Sequence, residues 1–154
     1  MNQPEVVMIG LGYIGLPTAA LIASNKVQVH GVDINQKVVD TINRGEIHIV
    51  EPELDTAVAL AVKGGYLKAA TEAVESKNYL IVVPTPFKGK NEPDISFVEA
   101  ATRGILPLLK AGDLYIIEST SPVGTTEKMM DLIYRERPEL KDKLHIAYCP
   151  ERVL

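Results

Sequence analysis

Short apolar runs recur along this chain, each followed by a longer stretch in which apolar and polar positions mix at helical spacing. The first run, residues 6–9, is apolar at every position, which fits a central strand covered on both faces. Residues 12–24 read as a helix, with Pro17 in its first turn, where a missing N–H has no intrahelical partner. Residues 27–32 predict a second strand ending at Asp33, and residues 35–44 a second helix stopped by Gly45. A loop over residues 46–52 leads to a third helix over residues 53–62, closed by Gly64 and Gly65. Residues 67–70 predict a weak strand, 71–76 a short helix, and 79–83 a buried strand halted by Pro84-Thr85-Pro86. Residues 87–93 read as a polar loop. Ser96 and Glu99 have capping-box spacing, so a helix is expected from Ser96 to about Leu109. Residues 114–117 predict a strand, 119–124 a loop, 125–134 a helix, and 135–143 a charged, mostly solvated stretch. A last strand over residues 145–148 runs into Cys149-Pro150-Glu151-Arg152.

Strands that alternate with helices in this way predict an α/β fold, a parallel sheet with helices on both faces. The chain shows no internal repeat and no low-complexity linker, so its 154 residues read as one domain.

The first strand runs directly into Gly10-Leu11-Gly12-Tyr13-Ile14-Gly15, a G-x-G-x-x-G spacing, and Asp33 follows 18 residues after Gly15 at the end of the second strand. Strand, three glycines, helix, strand and acid in that order form the fingerprint of a dinucleotide-binding βαβ unit. Gly10 allows the tight turn, Gly12 lets backbone N–H groups approach a pyrophosphate, and Gly15 permits close helix packing. The helix N-terminus adds free N–H donors and partial positive charge. The expected architecture is therefore a Rossmann-type, doubly wound sheet of about six strands in the order 3-2-1-4-5-6. Glycines also mark ordinary βα turns, and Asp33 also suits a helix N-cap; the strand–helix context favours the dinucleotide. A carboxylate at Asp33 hydrogen-bonds ribose hydroxyls and repels a 2′-phosphate. Ile34-Asn35-Gln36 supplies no cation, so NAD is expected rather than NADP. The P-loop pattern G-x-x-x-x-G-K-[ST] is absent.

Ligands of such sheets bind beyond the carboxyl ends of the strands. Pro84-Thr85-Pro86 and the segment from Glu118 to Thr126 emerge there, with hydroxyls that suit either a ligand or a helix cap. Thr126 is a candidate phosphate contact. Net charge is −4 without a basic run, so neither nucleic acid nor an anionic membrane is an expected partner. No apolar run approaches the roughly 20 residues that span a bilayer. The N-terminus lacks a signal peptide's basic region. Cys149 is the one cysteine, which fits a reducing cytoplasm and excludes an internal disulfide. It is expected to be a buried structural thiol. His30, His48 and His145 are scattered without metal-ligand spacing, so no metal site is expected.

Four ordered motifs carry a resemblance: Gly10-x-Gly12-Tyr13-Ile14-Gly15-Leu16-Pro17, Val83-Pro84-Thr85-Pro86, Glu118-Ser119-Thr120-x-Pro122-Val123-Gly124-Thr125-Thr126, and Cys149-Pro150-Glu151-Arg152. Together they resemble the UDP-glucose/GDP-mannose dehydrogenase family over essentially the whole chain. The stretches 43–52 and 84–89 look most like its branch acting on UDP-N-acetyl-D-mannosamine. The resemblance implies oxidation of a sugar C6 alcohol to a carboxylate with two NAD, through aldehyde and cysteine thioester stages, for bacterial surface polysaccharides. It matches Tyr13, Ile14, Asp33, Thr85 and Thr126 to NAD-contacting positions. Thr120 matches a threonine that holds a catalytic water, and Glu151 a glutamate in acid–base steps; without the resemblance Glu151 reads as a surface carboxylate.

Members of that family continue for more than twice this length, with a connecting helical domain and a C-terminal UDP-binding domain. The nucleophilic cysteine, a lysine and an asparagine lie there, and Cys149 does not match that nucleophile. Residues 1–154 are thus expected to be the NAD-binding domain of a homodimeric enzyme. The isolated chain should bind NAD without turnover and self-associate through apolar surface normally covered. A free-standing NAD/NADH sensor is the alternative. A hydroxyacid dehydrogenase of related fold is a third reading, opposed by Pro150-Glu151 and the Ser-Pro-Val-Gly loop.

Overall fold

The computed structural model describes residues 3–89 and 92–151. Lys90 and Asn91 of the polar loop and Arg152 of the last motif lie outside the described residues. The elements are β1 (Val6–Ile9), α1 (Gly15–Ser24), β2 (Val29–Val32), α2 (Gln36–Asn43), α3 (Leu54–Lys63), β3 (Leu67–Ala70), β4 (Asn78–Ile81), β5 (Phe87–Lys88), β6 (Glu92–Pro93), α4 (Ser96–Ile105), β7 (Leu114–Ile117), α5 (Thr125–Glu136) and β8 (His145–Tyr148). Six strands form one parallel sheet in the order β3-β2-β1-β4-β7-β8. The hairpin β5–β6 stands apart. Counting only the main sheet, this is the expected 3-2-1-4-5-6 order of a Rossmann-type fold.

The central strand β1 is apolar and buried at every position because each of its faces meets helices. Along β1, Val6 and Met8 face a core built with α1, α2 and α3, where Leu16, Ala20, Ile42 and Val58 are buried. Val7 and Ile9 face a second core with α4 and α5, where Val98, Ile105, Met129 and Ile133 are buried. Alternate residues of one strand thus serve opposite layers. In the second core the Thr102 hydroxyl donates to the Val98 carbonyl (2.7 Å). Its single proton is then committed, so the 2.6 Å bond to Tyr115 is donated by the phenol. This bond ties α4 to β7, and burial pushes the Tyr115 phenol pKa up.

Register brings the carboxyl ends of the strands level: Ile9 pairs with Val32 and Ile81, Ile81 with Ile117, and Ile117 with Tyr148. The segments after β1, β2, β4, β7 and β8 therefore leave the sheet along one edge.

Several local expectations change. Residues 71–76 form no helix. Instead the Ser76 N–H donates to the Tyr79 hydroxyl and the Ser76 hydroxyl to the Pro4 carbonyl, which fixes the approach to β4. The polar loop carries the β5–β6 pairing. At α4 the cap is Ile95, and the Asp94 carboxylate accepts the Ser96 N–H (3.0 Å); Ser96 is the first helical residue, so the capping box does not form. A 3-10 turn over Leu106–Leu108 finishes that helix. Helix α5 extends two residues past the expected end, to Glu136, while the stretch 135–143 is mostly exposed as expected apart from the buried Leu140. Cys149 is exposed rather than buried. It follows β8, an edge strand with one neighbour, so the last strand offers less cover than a central one.

The Thr102–Tyr115 pair makes an ordered prediction. Tyr115→Phe removes one bond and leaves a hydroxyl acceptor unused, a loss of about 1 kcal/mol. Thr102→Val strands the buried phenol donor and should lose more, about 1–3 kcal/mol. Urea midpoints of the two variants check the order.

Candidate functional site

The strand order reverses between β1 and β4, the switch point beside which open α/β sheets bind ligands. Two clefts lie there. The first encloses about 620 Å³ between the ends of β1 and β2, the segment at Thr71 and the α4 face of Phe97, Ala101 and Leu108. The second, about 370 Å³, lies between the glycine turn and the loops after β4, β7 and β8. Val83 and Pro84 line both, so the two form neighbouring compartments.

The turn between the clefts is built by close approach. Gly10 adopts φ +100°, and a Cβ there would stand 2.4 Å from the Val82 carbonyl oxygen. A Cβ on Gly15 would stand 1.9 Å from the Gly10 carbonyl oxygen. Neither position tolerates a side chain. Gly15 thus serves contact between the turn and its own helix as much as contact with the sheet. Gly12 differs: a Cβ there meets nothing within 4 Å, so the space beside it is open. Helix α1 begins here with no side-chain cap and no acidic residue in its first turn, leaving its N-terminal partial positive charge for a ligand.

Asp33 spans two turns. One carboxylate oxygen accepts the Leu11 N–H (3.3 Å) and the other the Asn35 N–H (2.9 Å). The helix cap is Asn35, which accepts the Lys37 N–H (3.0 Å). Asp33 therefore couples the glycine turn to the start of α2 without being the cap itself.

Gly10 and Asp33 line the first cleft; Gly12, Tyr13, Ile14, Thr85, Thr120 and Glu151 line the second. Gly15 and Thr126 line neither. Gly15 supports the turn from behind, and Thr126 sits in the first turn of α5. The Thr85 hydroxyl donates to the Thr120 carbonyl, joining the loops after β4 and β7. The Ser119 hydroxyl donates to the Val83 carbonyl (2.7 Å), Ser121 to Ser119 (3.0 Å) and Thr125 to Pro122 (2.8 Å). These hydroxyls hold the loop together. Those of Thr120 and Thr126 have no such partner among the described residues.

Sequence reasoning passed over Glu118 as a site residue. It follows β7, is only 7% exposed and lines the second cleft with Glu151. The Thr18 hydroxyl approaches its Oε1 (3.4 Å), while Oε2 is buried without a partner among the described residues. Burial first, and the Glu151 charge second, push its pKa above the ordinary carboxylate range; the Thr18 contact opposes them. A carboxylate ending an apolar strand, rather than flanking it, was the available signal. No group of three or more potential ligands for a metal ion occurs among the described residues.

A family model described as the NAD binding domain of the UDP-glucose/GDP-mannose dehydrogenase family matches residues 4–154. UDP-N-acetyl-D-mannosamine dehydrogenase of Escherichia coli strain K12 is 58% identical over 162 residues, covering 100% of this chain and 39% of the relative. The NDP-N-acetyl-D-galactosaminuronic acid dehydrogenase of Ralstonia nicotianae is 54% identical, over 96% of this chain and 37% of its own. Among solved structures, the UDP-N-acetyl-mannosamine dehydrogenase Cap5O of Staphylococcus aureus superposes with a TM-score of 0.91 at 38% identity, over 97% of this chain and 36% of that one. The chain thus spans about 39% of the length of its first curated relative.

The raised pKa of Glu118 sets a sign. Its neutral form supports the fold fully below the unfolded value of about 4.3, and that support is lost as pH rises through the higher folded value. Glu118→Gln removes this titration. The variant should gain stability relative to the parent between weakly acidic and alkaline pH; parallel urea-midpoint profiles across that range would contradict the burial argument.

Proposed function

This chain belongs to the UDP-glucose/GDP-mannose dehydrogenase family, whose NAD-binding domain it matches, and we propose that it serves the oxidation of UDP-N-acetyl-D-mannosamine to the uronate. The glycine turn between two clefts, clamped by Asp33, carries the dinucleotide part of this reading, and the 58% identity to the Escherichia coli enzyme supports the substrate. The residues present suit NAD on three counts. The space beside Gly12 is open, the α1 N-terminus lacks a side-chain cap, and a buried carboxyl oxygen in the second cleft lacks a partner among the described residues.

In this reading Gly10, Gly12 and Gly15 shape the turn that receives the pyrophosphate, whose charge the α1 N-terminus favours. Asp33 receives ribose hydroxyls while it holds the turn. Ile34, Phe97, Ala101 and Leu108 supply apolar walls for the adenine end. Tyr13, Ile14 and Thr85 border the nicotinamide end, and Thr126 adds a polar contact from α5. When bound, NAD accepts hydride, two molecules in turn for the four-electron step from alcohol to carboxylate. Thr120 holds a water at the reacting end of the second cleft. Glu151 takes up and returns the protons of the hydroxyl chemistry.

Residues 1–154 form one domain of a larger dimeric enzyme in the cytoplasm. In this reading the cysteine nucleophile and the uridine site that the family resemblance implies lie outside residues 1–154, which span 39% of the first curated relative's length. An NAD/NADH sensor would have no use for Thr120 and Glu151 together in one cleft, which favours the dehydrogenase.

Calorimetry tests the assignment. The chain should bind NAD with clear preference over NADP, and Asp33→Ser should weaken NAD binding about tenfold, equivalent to about 1.4 kcal/mol, and narrow that preference. Absence of NAD binding overturns it. With NAD and UDP-N-acetyl-D-mannosamine, the chain alone should produce no NADH absorbance. Robust turnover would contradict the division of the catalytic groups between domains.

A further inference from the structure

The second cleft has a one-sided charge. Its titratable lining residues are Tyr13, Glu118 and Glu151, and no Lys, Arg or His lines it among the described residues. Glu118 is the most enclosed of them. Its backbone N–H is held by the Ile81 carbonyl (2.9 Å), and Ser119 is fixed to Val83, so the side chain departs from a rigid base. Thr18 on α1 faces one carboxyl oxygen, and Glu151 from the segment after β8 is the charged group that couples to it. The other oxygen has no hydrogen-bond partner within the protein's described residues. A buried polar atom left in this way needs water or a ligand.

We propose that Glu118 makes the second cleft selective for the oxidised, cationic nicotinamide ring over the neutral reduced ring. The inference rests on the assignment of this cleft to the nicotinamide end. A carboxylate confined by protein on most sides acts through a low local dielectric, where a unit positive charge is attracted more strongly than in water. The two rings are nearly the same size, so shape separates them poorly and charge separates them well. Glu151 adds negative charge but is more exposed, and solvent screens it more. Glu118 thereby disfavours retention of the reduced product in the same compartment that attracts the oxidised cofactor. Each rise in pH that ionises Glu118 strengthens the selection, with Glu151 and Tyr13 the other titratable groups facing it.

Calorimetric titration of the chain with NAD, NADH and ADP-ribose tests the proposal at mildly alkaline pH. Glu118→Gln preserves side-chain size and the acceptor for Thr18 while removing the charge. It should lower the ratio of NAD to NADH affinity by about tenfold, the factor that corresponds to one pKa unit of differential interaction. ADP-ribose, which lacks the ring, should bind as before. Glu118→Asp retains the charge and should keep most of the ratio. An unchanged ratio in the Gln variant overturns the proposal. So does a parallel loss for all three ligands, which would assign Glu118 to packing. Failure of the parent chain to bind ADP-ribose would instead overturn the cofactor assignment, and this inference with it.

Discussion

The site depends on one carboxylate held between two turns. The Asp33 oxygens accept N–H groups from Leu11 and Asn35, so the glycine turn after β1 and the start of α2 are fixed to a single side chain. The turn itself has little freedom, since Gly15 lies against the Gly10 carbonyl and Gly10 against Val82. Preorganisation follows directly. The space beside Gly12 is open and the start of α1 has no side-chain cap, so the turn is shaped before any ligand arrives.

Parallel pairing extends this local constraint across the sheet. Level carboxyl ends of β1, β2, β4, β7 and β8 deliver five segments to one edge. Because Val83 and Pro84 border both clefts, the segment after β4 forms their shared wall. The Thr85-to-Thr120 and Ser119-to-Val83 contacts then tie that wall to the loop after β7. The Thr102–Tyr115 bond steadies the opposite wall, formed by α4. The clefts are therefore products of the sheet's register more than of any one loop.

The strands and the strand order were legible because apolar runs separated by helical spacing determine layers, and the glycine fingerprint determines the first βαβ unit. Asp33 followed from the glycine fingerprint, and the segments at Thr85 and Thr120 from the rule that ligands gather at the carboxyl ends, whereas the α4 wall of Phe97, Ala101 and Leu108 carried no sequence signal. Less legible were features set by tertiary partners. Ser96 and Glu99 have the spacing of a capping box, yet Ser96 is already the first helical residue and its N–H is taken by the Asp94 carboxylate. Residues 71–76 look helical by composition, but Ser76 is bound to Pro4 and Tyr79, contacts no local pattern contains. Cys149 was read as buried from its place after an apolar strand, and an edge position exposes it. Glu118 was quoted within a motif but not weighed, because burial of a charged residue is invisible until the helix and loops around it are placed.

The two clefts differ in a way that suits opposite ends of one ligand. The first is walled by Ile34, Phe97, Ala101 and Leu108, with Asp33 at its border, so it favours a flat apolar surface joined to a polyol. The second carries two carboxyl groups and the hydroxyl of Thr120, so it favours polarity and charge change. A ligand spanning both must cross the glycine turn, where helix N–H groups and absent side chains admit a bridging diphosphate. In the proposed reading the order apolar, anionic, reactive follows from which strand end lies beside which. Reversing the ligand would place its apolar end against the buried Glu118 carboxyl and its charged end against Phe97 and Leu108. Both placements carry desolvation penalties without compensating bonds, so under the proposed assignment the sheet order favours one direction of binding.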